Sequence, residues 1–254
     1  MKISAVVIAK NSEDIIADCL DSLGFCDEIV FIDDSSVDRT MEIAKTFTKF
    51  VFENPQKSEG FVEAVRKFGI SKASCDWVLI LDADERITPQ LAHEIKEEIL
   101  KRDSFNAYNI VRINHYLGNN PWPKNDLVLR LFKKSVVENI DWKLHTSPTI
   151  EGKIGILKNP MMHYTHQDLS SMLVKTIEWS KLEAKARYDS GHPRMRVWRF
   201  PKLMLSAFLR SYVKEGGWKV GSVGLIESVY QSFSVFITYV RLWELQKKGS
   251  VSRK

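Results

Sequence analysis

The stretch Trp77–Arg86, WVLILDADER, governs how the rest of the chain is read. Trp77 through Leu81 form an unbroken apolar run that stops at Asp82-Ala83-Asp84-Glu85. A run without polar alternation is the pattern of a strand covered on both faces, although a short buried helix gives the same pattern. Carboxylates crowded at its carboxyl end repel one another unless a cation sits among them. Oxygen donors in Asp-x-Asp spacing suit Mg²⁺ or Mn²⁺, above all where substrate phosphates complete the coordination. The competing reading is a solvated acidic turn that opens the next helix, since carboxylates are also favoured at helix N-termini.

Upstream, strand and helix patterns alternate. Ile3–Ala9 reads as a first strand, and Ser12 is placed to cap a helix carrying Ile15, Ile16, Cys19, Leu20 and Leu23, which Gly24 ends. Glu28–Asp33 is a second strand tipped by Asp33-Asp34, followed by a helix over Met41–Phe47 and a short strand at Phe50–Phe52. Phe61, Ala64, Val65 and Phe68 mark a helix before the Trp77 strand, and Thr88-Pro89 opens another that runs to about Lys101. This alternation predicts a parallel sheet with helices on both faces. Ligands of such sheets lie beyond the strands' carboxyl ends, where Asn11, Asp33-Asp34 and Asp82-Asp84 fall. AKNSED, after the first strand, contains no glycine, which excludes both a dinucleotide fingerprint and a Walker A loop. A bound phosphate must then be neutralised by a metal and by basic side chains. Lys10, Lys57 and Arg66 are candidates, each equally readable as an ordinary surface residue.

The composition, 44% hydrophobic and 27% charged over 254 residues, is that of a globular chain able to bury a sizeable core. Cys19, Cys26 and Cys75 form no metal-binding or disulfide pattern and read as reduced cysteines of a cytosolic protein. The apolar run Ile3–Ala9 is too short for a signal peptide. The net charge of +5 is uneven: from Ser190 onward twelve Lys or Arg face three acids. A basic, aromatic-rich segment suits an anionic membrane surface; nucleic acid is not expected, because no recognised binding motif accompanies the charge.

Ala107–Asn114 and Leu127–Lys133 read as strands around the loop HYLGNNPWPKND, whose Trp122 either stacks on a sugar ring or simply packs. Asp168 caps a helix to about Tyr188 with Leu169, Met172, Leu173 and Ile177 on one side, and GHPRM at Gly191–Met195 breaks it. In the last helix Glu227, Gln231, Ser234, Thr238 and Arg241 form a polar stripe, while Ile226, Tyr230, Phe233, Ile237 and Val240 form an apolar one. That amphipathic pattern predicts a helix lying in a membrane surface rather than spanning it, or one packed on another protein surface.

AKNSED, EIVFIDDSSVDRTMEIAK and DWVLILDADERITPQL are followed in order by RLFKKS (Arg130–Ser135), LHT (Leu144–Thr146) and MMHYTH (Met161–His166). Together they resemble family 2 glycosyltransferases of the GT-A fold, most nearly the bacterial branch that builds lipopolysaccharide core and related surface glycans. The resemblance implies an α/β, Rossmann-like, mostly parallel sheet with helices on both faces. It implies a catalytic domain over 1–190 and a basic helical region over 191–254. It also implies a metal-dependent, inverting transfer from a UDP-sugar to a lipid-linked glycan acceptor, by a cytoplasmic protein peripheral on the inner face of the cell membrane. Ala9, Lys10 and Asn11 would line the base and ribose side, with Asp34 as uracil partner. In the Asp82-Ala83-Asp84 triplet, Asp82 would approach the ribose and Asp84 would bind Mn²⁺ or Mg²⁺; His163 would complete the metal or diphosphate site, with His166 a weaker candidate.

One position departs from the family pattern. Relatives usually carry an acid after the histidine where this chain has His145-Thr146, and an inverting transfer needs a base. Asp141 or His145 is expected to serve, with Glu138 and Glu151 as further possibilities. Two alternatives stand beside this reading. A sugar nucleotidyltransferase would need the glycine-rich loop that is missing here, and a donor-binding protein without catalysis would fit Thr146.

Overall fold

The computed structural model describes residues 1–55, 62–101, 105–137, 150 and 152–251. The chain forms two compact units, Met1–Ile113 with Asn125–His163, and Asn114–Lys124 with Tyr164–Lys254. The division expected near residue 190 concerns catalysis, whereas these two units are divided by compactness.

In the first unit β1 (Ile3–Ala9), β2 (Glu28–Asp33), β3 (Phe50–Glu53) and β4 (Trp77–Asp82) run parallel in the order β3-β2-β1-β4. Side chains alternate across the pleat. Ala5 and Val7 of β1 and Leu79 and Leu81 of β4 pack with Ile16, Cys19 and Leu20 of α1 (Ile16–Asp21), Ala44 of α2 (Thr40–Phe47) and Leu91, Ile95 and Ile99 of a later helix. Val6, Val78 and Ile80 face the other way, onto Val65, Ile70 and Ala73. The last three belong to or directly follow α3 (Val62–Lys72). Both faces of β4 are therefore covered, which explains why its sequence shows no polar alternation.

After β4 come β5 (Glu85–Ile87) and α4 (Pro89–Leu100), whose N-cap Thr88 accepts a hydrogen bond from the Leu91 amide. Then follow β6 (Ala107–Tyr116), β7 (Asn120–Pro121), β8 (Asp126–Lys133), α5 (Lys134–Val137) and β9 (Ile154–Tyr164). The sheet continues β4-β8-β6-β9-β5, with β8 antiparallel to both β4 and β6, and β5 antiparallel to β9. The α/β, mostly parallel expectation holds: β8, antiparallel to both β4 and β6, is a reversed strand between two that run alike, and β9 follows the direction of β6. β6 and β8 are joined without the crossover helix that a parallel pair requires. Ser12 does not cap α1: its hydroxyl bonds the Lys10 carbonyl, and its own carbonyl receives the Ile15 and Ile16 amides in a turn that precedes the helix.

The second unit contains α6 (Leu169–Asp189), α7 (Arg199–Leu209) and α8 (Gly221–Val251), with the break expected at Gly191–Met195 between α6 and α7. Asp168 and Ser171 form a capping box on α6. A π-helical turn at Arg210–Lys214 and a 3₁₀ turn at Gly217–Val220 join α7 to α8. Trp122 packs rather than facing a ligand: it is buried, meets Tyr116 edge-on at 5.0 Å and lies against Gly217.

Candidate active site

Parallel register lines up three strand ends, with Ala9 abreast of Asp33 across β1 and β2, and Ile8 abreast of Asp82 across β1 and β4. Asn11 follows β1 with φ +47°, a left-handed conformation that asparagine tolerates. Its side-chain oxygen accepts the Val37 amide at 2.9 Å, and its own amide donates to Ser36 Oγ at 3.0 Å. The Asp34 amide donates to the Ala9 carbonyl at 2.9 Å, and Asn54 Nδ2 donates to Asp34 Oδ1 at 2.7 Å. Asp33 is buried and accepts the Ser36 amide through Oδ2, which steers the turn after β2. Ala9, Asn11 and Asp34 thus sit on one rim, and Lys10 is exposed beside them.

The other rim is the Asp82–Glu85 turn, and here the side chains divide in role. Glu85, fully buried, accepts the Asp82 amide at 3.1 Å, Arg112 at 3.0 Å and Arg130 at 2.7 Å. Asp82 is engaged by Arg130 at 2.6 Å and by Arg66 at 3.0 Å. Burial alone would raise the Asp82 carboxyl, but the two guanidiniums overcome this and hold it at about 2. Arg66, a candidate for phosphate, therefore has its charge directed at Asp82. Arg86 binds the carbonyls of Ala83 at 2.7 Å and Glu85 at 2.9 Å and reaches back to the Ile15 carbonyl at 2.5 Å. The turn is held by its backbone and by its flanking acids. Cys19 lies beneath it, Sγ 3.7 Å from the Asp82 carbonyl, and burial pushes its thiol up to about 12, too high for a thiolate nucleophile.

Asp84 is left to face His163, with Oδ1 and Nε2 3.4 Å apart. The pairing of β5 with β9, which sets Glu85 opposite His163, brings these two together. One carboxylate and one imidazole make a hard, incomplete donor set. Among the described residues no group of three or more His, Cys, Asp or Glu could hold a metal alone. This fits Mg²⁺ or Mn²⁺, which keep positions for water and substrate phosphate. His166 is not part of this pair: in the second unit its Nδ1 lies 3.1 Å from both carboxylate oxygens of the buried Glu227. Lys57, Asp141 and His145, with Glu138, Thr146 and Glu151, lie outside the described residues.

Acid-tipped parallel strands beside a carboxylate–imidazole pair, on a sheet with a reversed strand next to β4, define a nucleotide-sugar type of α/β protein with the GT-A arrangement. The model of glycosyl transferase family 2 matches residues 4–163, well over half of the chain. The chain belongs to that family and is a glycosyltransferase. It is 25% identical to the lipopolysaccharide core biosynthesis glycosyltransferase LpsC of Rhizobium meliloti, over 96% of this chain and 93% of that one. It is 29% identical to the uncharacterized glycosyltransferase RT0209 of Rickettsia typhi, over 98% of this chain and 89% of that one. Among solved structures, S. aureus TarS residues 1–349 align over 98% of this chain and 92% of that one, at 16% identity and a TM-score of 0.45.

Proposed function

We propose that the protein transfers a sugar from a UDP-sugar, with inversion at the anomeric carbon, to a lipid-linked glycan of the bacterial surface such as lipopolysaccharide core. The observation that carries this reading is the Asp84–His163 pair at the tip of β4, beside the strand ends that carry Asn11 and Asp34. Ala9, Lys10, Asn11 and Asp34 take the nucleoside, while Asp84 and His163 would hold Mn²⁺ or Mg²⁺. When bound, the metal supplies positive charge that offsets the charge gathering on the departing diphosphate. Asp82, fixed by Arg66 and Arg130, keeps the turn and hence Asp84 in position. An acceptor hydroxyl attacks the anomeric carbon from the face opposite the diphosphate. The bond to the diphosphate oxygen breaks, its electron pair leaves with UDP, and the hydroxyl proton passes to a base, Asp141 or His145. In this reading catalysis occupies residues 1–190, and residues 191–254 keep the enzyme at the cytoplasmic face of the membrane where such acceptors are made. The LpsC name and the basic C-terminal region support that placement.

The test is transfer and slow hydrolysis of UDP- and GDP-sugars with Mn²⁺, for the wild type and Asp84→Asn. The expected result is turnover of a UDP-sugar that chelator abolishes and Asp84→Asn lowers at least about a hundredfold, the scale of losing one electrostatic stabiliser. Turnover indifferent to both would remove the metal-assisted mechanism. UDP binding without turnover on any acceptor extract would favour a donor-binding protein.

A further inference from the structure

The helices of the second unit bury polar residues that a bundle built for water would turn outward, and expose apolar ones. On α8 the buried positions include Glu227 at 1% exposure, Ser228 at 0% and Thr238 at 5%. On α6 they are Met172, Thr176, Ser180 and Ala184. Beside an apolar cluster of Ala184, Met195, Tyr239 and Leu242, hydrogen bonds link the helices: Thr176 to the Tyr230 hydroxyl and to Ser234, and Ser211 to Ser228 at 3.0 Å. Other bulky residues point away. Trp198, Leu205 and Leu209 form an outward stripe on α7 and its N-cap, and Ile226, Val229 and Phe233 form one on α8, each residue at least 40% exposed. Hydroxyl groups bonded between helices, with exposed aliphatic and aromatic stripes on the outer side, suit helices that meet acyl chains there. In water, an apolar surface of this extent marks a contact site.

Charge decides what covers it. The segment from Ser190 carries twelve Lys or Arg against three acids, so a second copy applied to the same face would meet like charge, whereas an anionic bilayer would not. The turn before α8 and the last part of α8 each carry a tryptophan with a lysine over its ring, Lys219 on Trp218 at 5.4 Å and Lys247 on Trp243 at 4.4 Å. That pairing of an amphipathic ring with a cation suits the headgroup level. The stretch Gly217–Lys248 is long and apolar enough to cross a membrane, contrary to the expectation from its stripes. Depth is set instead by Lys202, exposed between Trp198 and Leu205, whose stem can reach headgroups only from a shallow position.

We propose that α7 and α8 lie in the plane of an anionic bilayer, their outward stripes in the upper acyl layer and Lys202, Lys219 and Lys247 among the headgroups. The proposal rests on the membrane-side location given above but not on the transfer chemistry. The test uses the full chain with vesicles of phosphatidylcholine, with or without phosphatidylglycerol, and with lipids brominated at different depths. The expected result is co-sedimentation with phosphatidylglycerol vesicles, weakened at least about tenfold in Val229→Glu/Phe233→Glu, since two apolar side chains are then lost from the buried stripe. Bromines near the headgroup should quench tryptophan fluorescence more than bromines at the chain ends. Donor hydrolysis in solution should be unchanged in the double variant, showing that it folds. Failure to bind either vesicle, strongest quenching at the bilayer centre, or a dimer that the double variant dissociates without any effect on vesicles would each overturn the proposal. Vesicle binding by a wild type that turns over no sugar nucleotide would leave the surface standing and remove the enzyme reading instead.

Discussion

Arg130 shows what the acid-tipped strand requires. Its guanidinium touches Asp82 at 2.6 Å and Glu85 at 2.7 Å, and Glu85 has no exposed surface. Removing one partner of a buried ion cluster leaves the others uncompensated, at a cost of about 3–5 kcal/mol. Arg130→Met should accordingly lower urea-unfolding stability by about 3 kcal/mol, toward the low end because Asp82 keeps a third of its side chain exposed. Adding Glu85→Gln should recover part of that loss; a single variant as stable as wild type would remove the strut. The pH dependence follows in sign. The Asp82 carboxyl lies at about 2 in the fold against an ordinary 3.8, so its contribution is complete above the ordinary value and is lost as pH falls toward about 2. In Arg130→Met the acid limb of a stability–pH profile should flatten, because the carboxyl then titrates nearer its ordinary value and less stability is left to lose on acidification. RLFKKS is visible in the sequence as a motif, yet nothing in its spacing ties residue 130 to residue 82. Only the antiparallel pairing of β4 with β8, which sets Leu79 beside Leu131, brings the guanidinium to the acids. Asp84 and His163 were legible as a pair only through family resemblance, for the same reason.

Among the elements that cover the sheet, α3 packs closely against it. A Cβ added at Gly69 would stand 2.5 Å from Val6 Cγ1 and 3.1 Å from Ile32 Cγ1, so this helix approaches β1 and β2 more closely than an alanine permits. Alanine normally favours a helix over glycine by up to ~1 kcal/mol, but overpacking costs about 1–3 kcal/mol, and the second effect is the larger here. Gly69→Ala should lower the thermal midpoint, and because α3 carries Arg66 it should also lower kcat; a raised midpoint would show that the sheet yields. The four parallel strands were legible because burial on both faces leaves an unbroken apolar run. The strands after β4 were less so: β5 has three residues, and β9 is interrupted by Lys158-Asn159-Pro160, so neither shows a strong strand period. In α8 periodicity found the two faces and could not tell which one meets solvent. Glu227 and Thr238 of the polar stripe are buried while Ile226 and Phe233 of the apolar stripe are exposed, because hydrogen bonding within the unit determines the orientation. The same applies to α6, where Met172 is buried but Leu169, Leu173 and Ile177 of its apolar side are exposed.

At the scale of the whole molecule, charge is distributed by task. Residues 1–189 carry a net −4 and residues 190–254 a net +9, giving the overall +5. In the proposed reading the acidic excess goes with the part whose aspartates would take a cation and an anionic donor together, and the basic excess with the part whose outward face is apolar. Screening separates the two tasks, since the Debye length falls from about 10 Å at 0.1 M salt to about 3 Å at 1 M. Donor hydrolysis in solution depends on short contacts around Asp84 and should change little across that range. Transfer to an acceptor embedded in anionic vesicles depends on the basic segment and should fall severalfold, through a rise in apparent KM for vesicles at constant kcat. Zwitterionic vesicles carrying the same acceptor should show a higher KM at every salt concentration and little further dependence on it. Equal salt sensitivity for the two reactions would mean that ions act at the nucleotide site, and the C-terminal charge would then need another partner.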